Sequence, residues 1–185
     1  MTRFTLHDES TAPTASQPLL QSSRQGYGMI PNLHAVMAEA PGLLEAYQTL
    51  HELFGNSSLN ADEKTVVWQT INVEHGCDYC VPAHSAIAQS MHVADEVNDA
   101  LRDGTPLPSE RLEALRTFTL ALVRQRGRVS EAELAAFLEA GFSQRQIQEV
   151  ILGLSQKVMS NYLNHIAQTP LDTAFEAFQR ETPAA

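Results

Sequence analysis

Residues 59–88 read LNADEKTVVWQTINVEHGCDYCVPAHSAIA, and this stretch contains both cysteines of the 185-residue chain. At its start, Asn60 precedes Glu63 by three residues, the spacing of a reciprocal helix cap. The apolar residues that follow recur every three to four positions, as on one face of a helix. Gly76 interrupts the pattern, and glycine commonly ends helices. The stretch therefore predicts two helices separated by a turn at Gly76.

Helical signals continue along most of the chain. Ser130 with Glu133 and Ser143 with Gln146 repeat the capping spacing, and an apolar stripe at helical spacing follows Ser143. No alternating strand pattern is present in the sequence. We therefore predict an all-α fold, a bundle of about eight helices.

The first 26 residues have a different composition. Residues 1–26 mix Ser, Thr, Pro and Gln without a hydrophobic period, which predicts a loosely ordered N-terminal arm. Residues 27–185 are expected to form the helical domain.

Composition excludes several classes of function. The chain has 12 Lys and Arg against 22 Asp and Glu, a net charge of −10, which argues against nucleic-acid binding and against an anionic-membrane anchor. The sequence begins without a secretory pattern and has no apolar stretch of about 20 residues. We expect a cytoplasmic protein that binds neither nucleic acid nor membrane.

The two cysteines and one histidine form the candidate site. Cys77 and Cys80 are three residues apart, and His84 follows Cys80 by four, so a helix beginning near Asp78 places all three on one face. Pro82 supports that beginning, because proline is tolerated only in the first turn of a helix. Cys80 in that first turn is predicted to have the lower pKa and to attack, with His84 as proton acceptor and Cys77 as the resolving thiol.

Other interpretations of the motif involve an acid or a metal. Glu74 lies before the turn and is expected to orient His84 or relay its proton. Alternatively, the cysteines could form half of a zinc site, with His84 as third ligand and His75, His92 or His165 as fourth. A buried pair that serves only packing is a further alternative.

The motif Glu-x-x-Cys-x-x-Cys-x-x-x-His, formed by Glu74, Cys77, Cys80 and His84, resembles the active site of the alkyl hydroperoxidase D (AhpD)-like branch of the carboxymuconolactone decarboxylase superfamily. The resemblance extends over roughly residues 30–175. It implies a helical homo-oligomer that reduces hydroperoxides, without metal or organic cofactor, and is itself reduced by an external thiol or disulfide donor.

The resemblance also implies an upstream glutamate that completes the proton relay. That position falls at or beside Thr65 here, so we expect Glu74, or else Glu63, to take its place. Two other functions stay open from the sequence. One is a carboxymuconolactone decarboxylase-like enzyme, and the other is a non-catalytic metal-binding or structural oligomer.

Overall fold

The computed structural model describes residues 4–179, and within this range the protein contains helices and no strands. In this described part of the chain, two short 3-10 helices, Thr14–Ser16 and Thr173–Phe178, flank nine α-helices. The α-helices are α1 (Gln17–Tyr27), α2 (Asn32–Met37), α3 (Pro41–Gly55), α4 (Ala61–Glu74), α5 (Cys80–Ser90), α6 (Asp95–Asp103), α7 (Glu110–Arg124), α8 (Glu131–Glu139) and α9 (Gln144–Ala167). The predicted all-α class is confirmed.

The capping signals begin the helices that they predict. Asn60 accepts a hydrogen bond from the Glu63 amide at 2.9 Å, and the Glu63 carboxylate accepts one from the Asn60 amide at 3.0 Å. The same reciprocal cap begins α8. At the start of α9, the Gln146 side chain accepts from the Ser143 amide at 2.8 Å. These bonds satisfy amides that the first helical turn leaves without partners.

Helix α4 lies at the centre of the bundle and packs against α5, α6, α7 and α9, while α3 packs along α9. One apolar cluster, which includes Ile71, Leu115 and Phe118, fills the space between α4 and α7. A second cluster, around Leu44, includes both cysteines of the motif. The candidate site thus lies inside the protein, between α5, α9 and the N-terminal helices.

The structure places a helix within the predicted N-terminal arm. Helix α1 occupies residues 17–27, so the predicted boundary at residue 26 falls within a helix, and residues 1–3 lie outside the described range. Leu20 is completely buried, and the Ser16 hydroxyl donates to the Ala38 carbonyl at 2.6 Å. The buried residues of α1 are Leu20 and Ser23, and one leucine with one serine gives no hydrophobic period, so the sequence pattern does not predict this helix.

None of the helices among residues 4–179 combines the length and apolar character needed to cross a membrane.

Candidate active site

A left-handed turn positions the first cysteine. Helix α4 ends at Glu74, and Gly76 has a φ of +62°, a conformation that glycine adopts without steric cost. Helix α5 begins at Cys80, whose amide donates to the Cys77 sulfur at 3.2 Å. Pro82 is the third residue of α5, as its tolerance for the first turn predicts. Both cysteines are free thiols and both are buried.

Helix α9 contributes the groups that contact the sulfur atoms. The Asn164 side-chain amide donates to the Cys80 sulfur at 3.2 Å and lies 3.9 Å from the Cys77 sulfur. Asn161, three residues earlier on α9, also lowers the pKa of Cys80, and its amide donates to Asn72 at 3.0 Å. Amide donors of this kind stabilise a thiolate more than a thiol, because the hydrogen bond that they donate is stronger to the charged sulfur.

Lys157 is a buried cation beside the site. Its side chain is 1% exposed, and its Nζ lies 2.8 Å from His84 Nε2. Among residues 4–179, no carboxylate forms an ion pair with it. A buried charge without a counter-ion is unfavourable. Burial lowers the pKa of Lys157, and the two thiols, which are the nearby groups able to become anionic, partly offset this effect by raising it.

The two thiols differ in acidity. Burial by itself raises the pKa of Cys80, but the hydrogen bond with Cys77, the charge of Lys157 and the amides of Asn164 and Asn161 outweigh it and lower the pKa to about 6. The same hydrogen bond with Cys80, together with burial, raises the pKa of Cys77 far above its usual range. These opposite shifts favour Cys80 over Cys77 as the thiol that ionises first.

His84 is buried and neutral. Burial, followed by the charges of Lys157 and His51, lowers its pKa well below the ordinary value. Its Nε2 bonds to Lys157, and its Nδ1 has no hydrogen-bond partner among the described residues. The neutral imidazole is therefore a hydrogen-bond partner of Lys157, whose ammonium donates to Nε2.

Glu74 lies apart from this cluster. Its two carboxylate oxygens accept from Nε and Nη2 of Arg124 at 2.8 and 2.7 Å, and this hydrogen bonding lowers the pKa of Glu74. The geometry does not support the expected contact with His84. The three-residue spacing from Glu74 to Cys77 places side chains on one face only within a continuous helix, and α4 ends at Glu74.

The alternative acid is also engaged elsewhere. Glu63 caps α4 and accepts from Arg111 Nε at 3.0 Å. Thr65, at the position where the family resemblance implies a glutamate, is buried and its hydroxyl has no partner among the described residues.

The structure gives no support to the zinc interpretation. Within residues 4–179, no group of three His, Cys, Asp or Glu side chains is arranged to hold a metal ion. His75 bonds instead to the Asn161 side chain at 2.8 Å, and His84 bonds to Lys157.

The sequence interpretation missed Lys157 and Asn164. Their signal was present in the spacing of α9, whose buried residues include 150, 153, 157, 160 and 164. A lysine and an asparagine on such a buried stripe are exceptions to the usual exposure of these residue types. Such exceptions mark polar groups that need partners inside the protein.

A cavity of about 240 Å³ leads to Cys80. His84 and Lys157 lie in its wall together with Cys80, and most other lining residues are aromatic or aliphatic, including Tyr27, Met29, Leu33, Tyr47, Ile87 and Phe175. Burial lowers the pKa of His51, another histidine of the lining, to about 4, so it is neutral as well. An apolar wall with a few polar groups at one point is typical of a small-molecule site.

No protein-family model matches the sequence, and no curated protein is significantly similar to it. Solved structures are similar in fold. An alkylhydroperoxidase AhpD core, an uncharacterised peroxidase-related protein from Ralstonia eutropha JMP134, has a TM-score of 0.83 at 20% identity over 94% of each chain. A peroxidase-related protein from Silicibacter sp. TM1040 has a TM-score of 0.81 at 20% identity over 96% of each chain.

A third similar structure is a cysteine-to-alanine variant of the debrominase Bmp8 in complex with 2,3,4-tribromopyrrole. Its TM-score is 0.80 at 19% identity over 96% of each chain. The fold of this chain is therefore AhpD-like, as the motif resemblance predicts.

Proposed function

We propose that this protein is a thiol-dependent peroxidase-type oxidoreductase in which Cys80 attacks a hydroperoxide and Cys77 resolves the product. The observation that carries this proposal is the position of Cys80. Its sulfur receives a hydrogen bond from Asn164, lies near the buried cation of Lys157 and faces an apolar cavity. A low-pKa cysteine with a neighbouring thiol is the arrangement of a redox-active pair.

The reaction begins at the Cys80 thiolate, which attacks the terminal oxygen of a hydroperoxide. The O–O bond breaks, Cys80 becomes a sulfenic acid, and the leaving alkoxide takes a proton from Lys157, directly or through His84, to give an alcohol. Cys77 then attacks the Cys80 sulfur, and the sulfenic hydroxyl leaves as water with the Cys77 proton. Two thiols of an external donor reduce the resulting disulfide and become a disulfide themselves.

A single-turnover experiment tests the proposal. One equivalent of cumene hydroperoxide, an apolar substrate that suits the cavity, is expected to consume both free thiols and to form one disulfide. Trp68, the one tryptophan of the chain, lies 5.0 Å from His84 between ring centroids, so its fluorescence reports the reaction.

Two serine variants are matched controls for this experiment. We expect Cys80→Ser to abolish hydroperoxide consumption, and Cys77→Ser to stop at a sulfenic acid on Cys80 that dimedone labels. Retention of the reaction by Cys80→Ser would contradict the proposal.

Reductive dehalogenation is a second candidate, favoured by the aromatic lining of the cavity. The Cys80 thiolate would attack the bromine of a bromoarene that is protonated at the brominated carbon. The C–Br bond breaks, Cys80 becomes a sulfenyl bromide, and the arene leaves with hydrogen in place of bromine. Cys77 would then displace bromide to form the same disulfide. Release of one bromide per disulfide from a brominated pyrrole, with no hydroperoxide consumption, would favour this reaction. Decarboxylation has less support, because the lining cation, Lys157, is already bound to His84.

We also propose that the protein is a homo-oligomer that associates through α9. Ile151, Tyr162 and Ile166 on this helix are 45%, 54% and 63% exposed, and exposed apolar groups at helical spacing suit a subunit contact. Light scattering is expected to show an oligomer that Tyr162→Glu dissociates and the control Leu138→Glu on α8 does not. A wild-type particle of 20.3 kDa would contradict this.

A further inference from the structure

The two cysteines line two different cavities. Cys80 lines the apolar cavity, whereas Cys77 lines a second cavity of about 420 Å³. Polar side chains dominate this second wall, which is formed by Cys77, Asp78, Asn164, His165, Gln168 and Thr169. Tyr79 lines both cavities. The cysteine pair can therefore be reached from two sides.

Two buried oxygens on the polar side have no hydrogen-bond partner among the described residues. They are Oδ1 of Asn164 and Oγ1 of Thr169, on side chains of residues that are 5% and 9% exposed. Buried polar atoms are nearly always satisfied. Asn164 and Thr169 also line the cavity that Cys77 lines, so side chains with unused hydrogen-bonding capacity lie around the place where a polar ligand would bind.

We propose that this polar cavity is the reductant site, where an external thiol attacks Cys77 of the oxidised pair while substrate uses the apolar cavity. The inference rests on the proposed redox function and adds the place and the class of the electron donor. The donor thiolate forms a bond to the Cys77 sulfur, the Cys77–Cys80 bond breaks, and Cys80 leaves as a thiolate. A second donor thiolate then attacks the donor sulfur of this mixed disulfide, and Cys77 leaves as a thiolate that takes up a proton, so the two donors end as one disulfide.

Leaving-group chemistry agrees with this direction of attack. Thiol–disulfide exchange is faster when the departing thiol has a low pKa. Lys157 and the two asparagines lower the pKa of Cys80, whereas that of Cys77 is raised. Attack on Cys77 therefore releases the better leaving group, next to the cation that stabilises it.

The lining also restricts the donor. Asp78 is exposed at this cavity, and neither Lys nor Arg lines it. A carboxylate without a neighbouring cation disfavours anionic ligands. We therefore assign the site to small neutral or cationic thiols rather than to anionic ones.

The test begins from protein oxidised with diamide, which forms the disulfide without any hydroperoxide. Cysteamine, a cationic thiol, and 2-mercaptoethanesulfonate, an anionic one, then reduce the disulfide at low ionic strength, and the ratio of their rate constants is measured. His165→Glu places a new charge at the polar cavity, and Ser90→Glu places the same charge at the apolar one; both residues are exposed.

We expect His165→Glu to raise the cysteamine preference by roughly fivefold, as for one nearby charge at high dielectric, and Ser90→Glu to leave it unchanged. Asp78→Asn should lower the preference. Rapid alkylation followed by peptide mapping should find cysteamine on Cys77 and the alkyl group on Cys80.

An effect confined to Ser90→Glu, an unchanged ratio in both glutamate variants, or cysteamine on Cys80 would overturn the reductant site. Failure of diamide to form the disulfide would overturn the proposed redox function itself. A protein that is inert to hydroperoxides yet passes the diamide test would lose only its peroxidase assignment.

Discussion

Two cations near the cysteine motif have opposite environments. Arg124, at the end of α7, is 60% exposed in its side chain and is bound through two of its nitrogens by Glu74. Lys157, in the middle of α9, is buried and has His84 as its polar partner. Water and salt screen the first pair, so it contributes little. The second cation acts at low dielectric, where one charge shifts the protonation of its neighbours strongly.

Removal of the buried cation should have the largest effect. In wild-type protein, the Cys80 thiolate forms as the pH rises through its pKa of about 6, so its reactivity should rise through that pH and then level off. Lys157→Met removes the positive charge and raises this pKa. Near pH 7 we expect alkylation of Cys80 by iodoacetamide to slow by about tenfold, with recovery by about pH 9.

Arg124→Met is the matched control, because it removes the exposed cation with the same side chain. Its pH profile should coincide with that of the wild type. Equal profiles for Lys157→Met and the wild type would show that the buried cation does not stabilise the thiolate.

An intermediate effect is expected at Glu63, whose carboxylate caps α4 and binds Arg111. Its side chain is only 5% exposed, so Glu63→Gln weakens a buried charge-assisted interaction. We expect a loss of about 1–2 kcal/mol in the free energy of unfolding, measured by urea titration, with unchanged Cys80 reactivity. A slower oxidation of Cys80 at unchanged stability would instead make Glu63 the relay residue.

The smallest effect is expected at Glu74. Because its carboxylate binds Arg124 at the surface, Glu74→Gln should change the rate of thiol oxidation by less than about twofold and stability by less than about 1 kcal/mol. Stopped-flow oxidation followed through Trp68 fluorescence measures the rate. A tenfold decrease in the oxidation rate would show that Glu74 belongs to the proton relay, as the motif predicted. The exposed pair of Glu74 and Arg124 would then matter to the reaction as the buried Lys157 does.

The parts of this structure that the sequence determined are local. Capping pairs three residues apart predict the starts of α4, α8 and α9, and Gly76 with Pro82 bounds the turn before α5. These signals suffice because their hydrogen bonds and steric limits lie within one helical turn. The Cys-x-x-Cys spacing likewise determines that both sulfurs meet at the start of a helix.

Tertiary structure alone decided which charged and polar groups meet the cysteines. Lys157 reaches His84 across 73 positions, Asn164 reaches Cys80 across 84, and Glu74 is bound to Arg124 across 50. Each of these contacts depends on how α4, α5, α7 and α9 pack. The physical reason is that helix packing is set by the summed burial of whole apolar faces. The residues next to a polar side chain in the sequence therefore do not indicate that packing brings this side chain to the site.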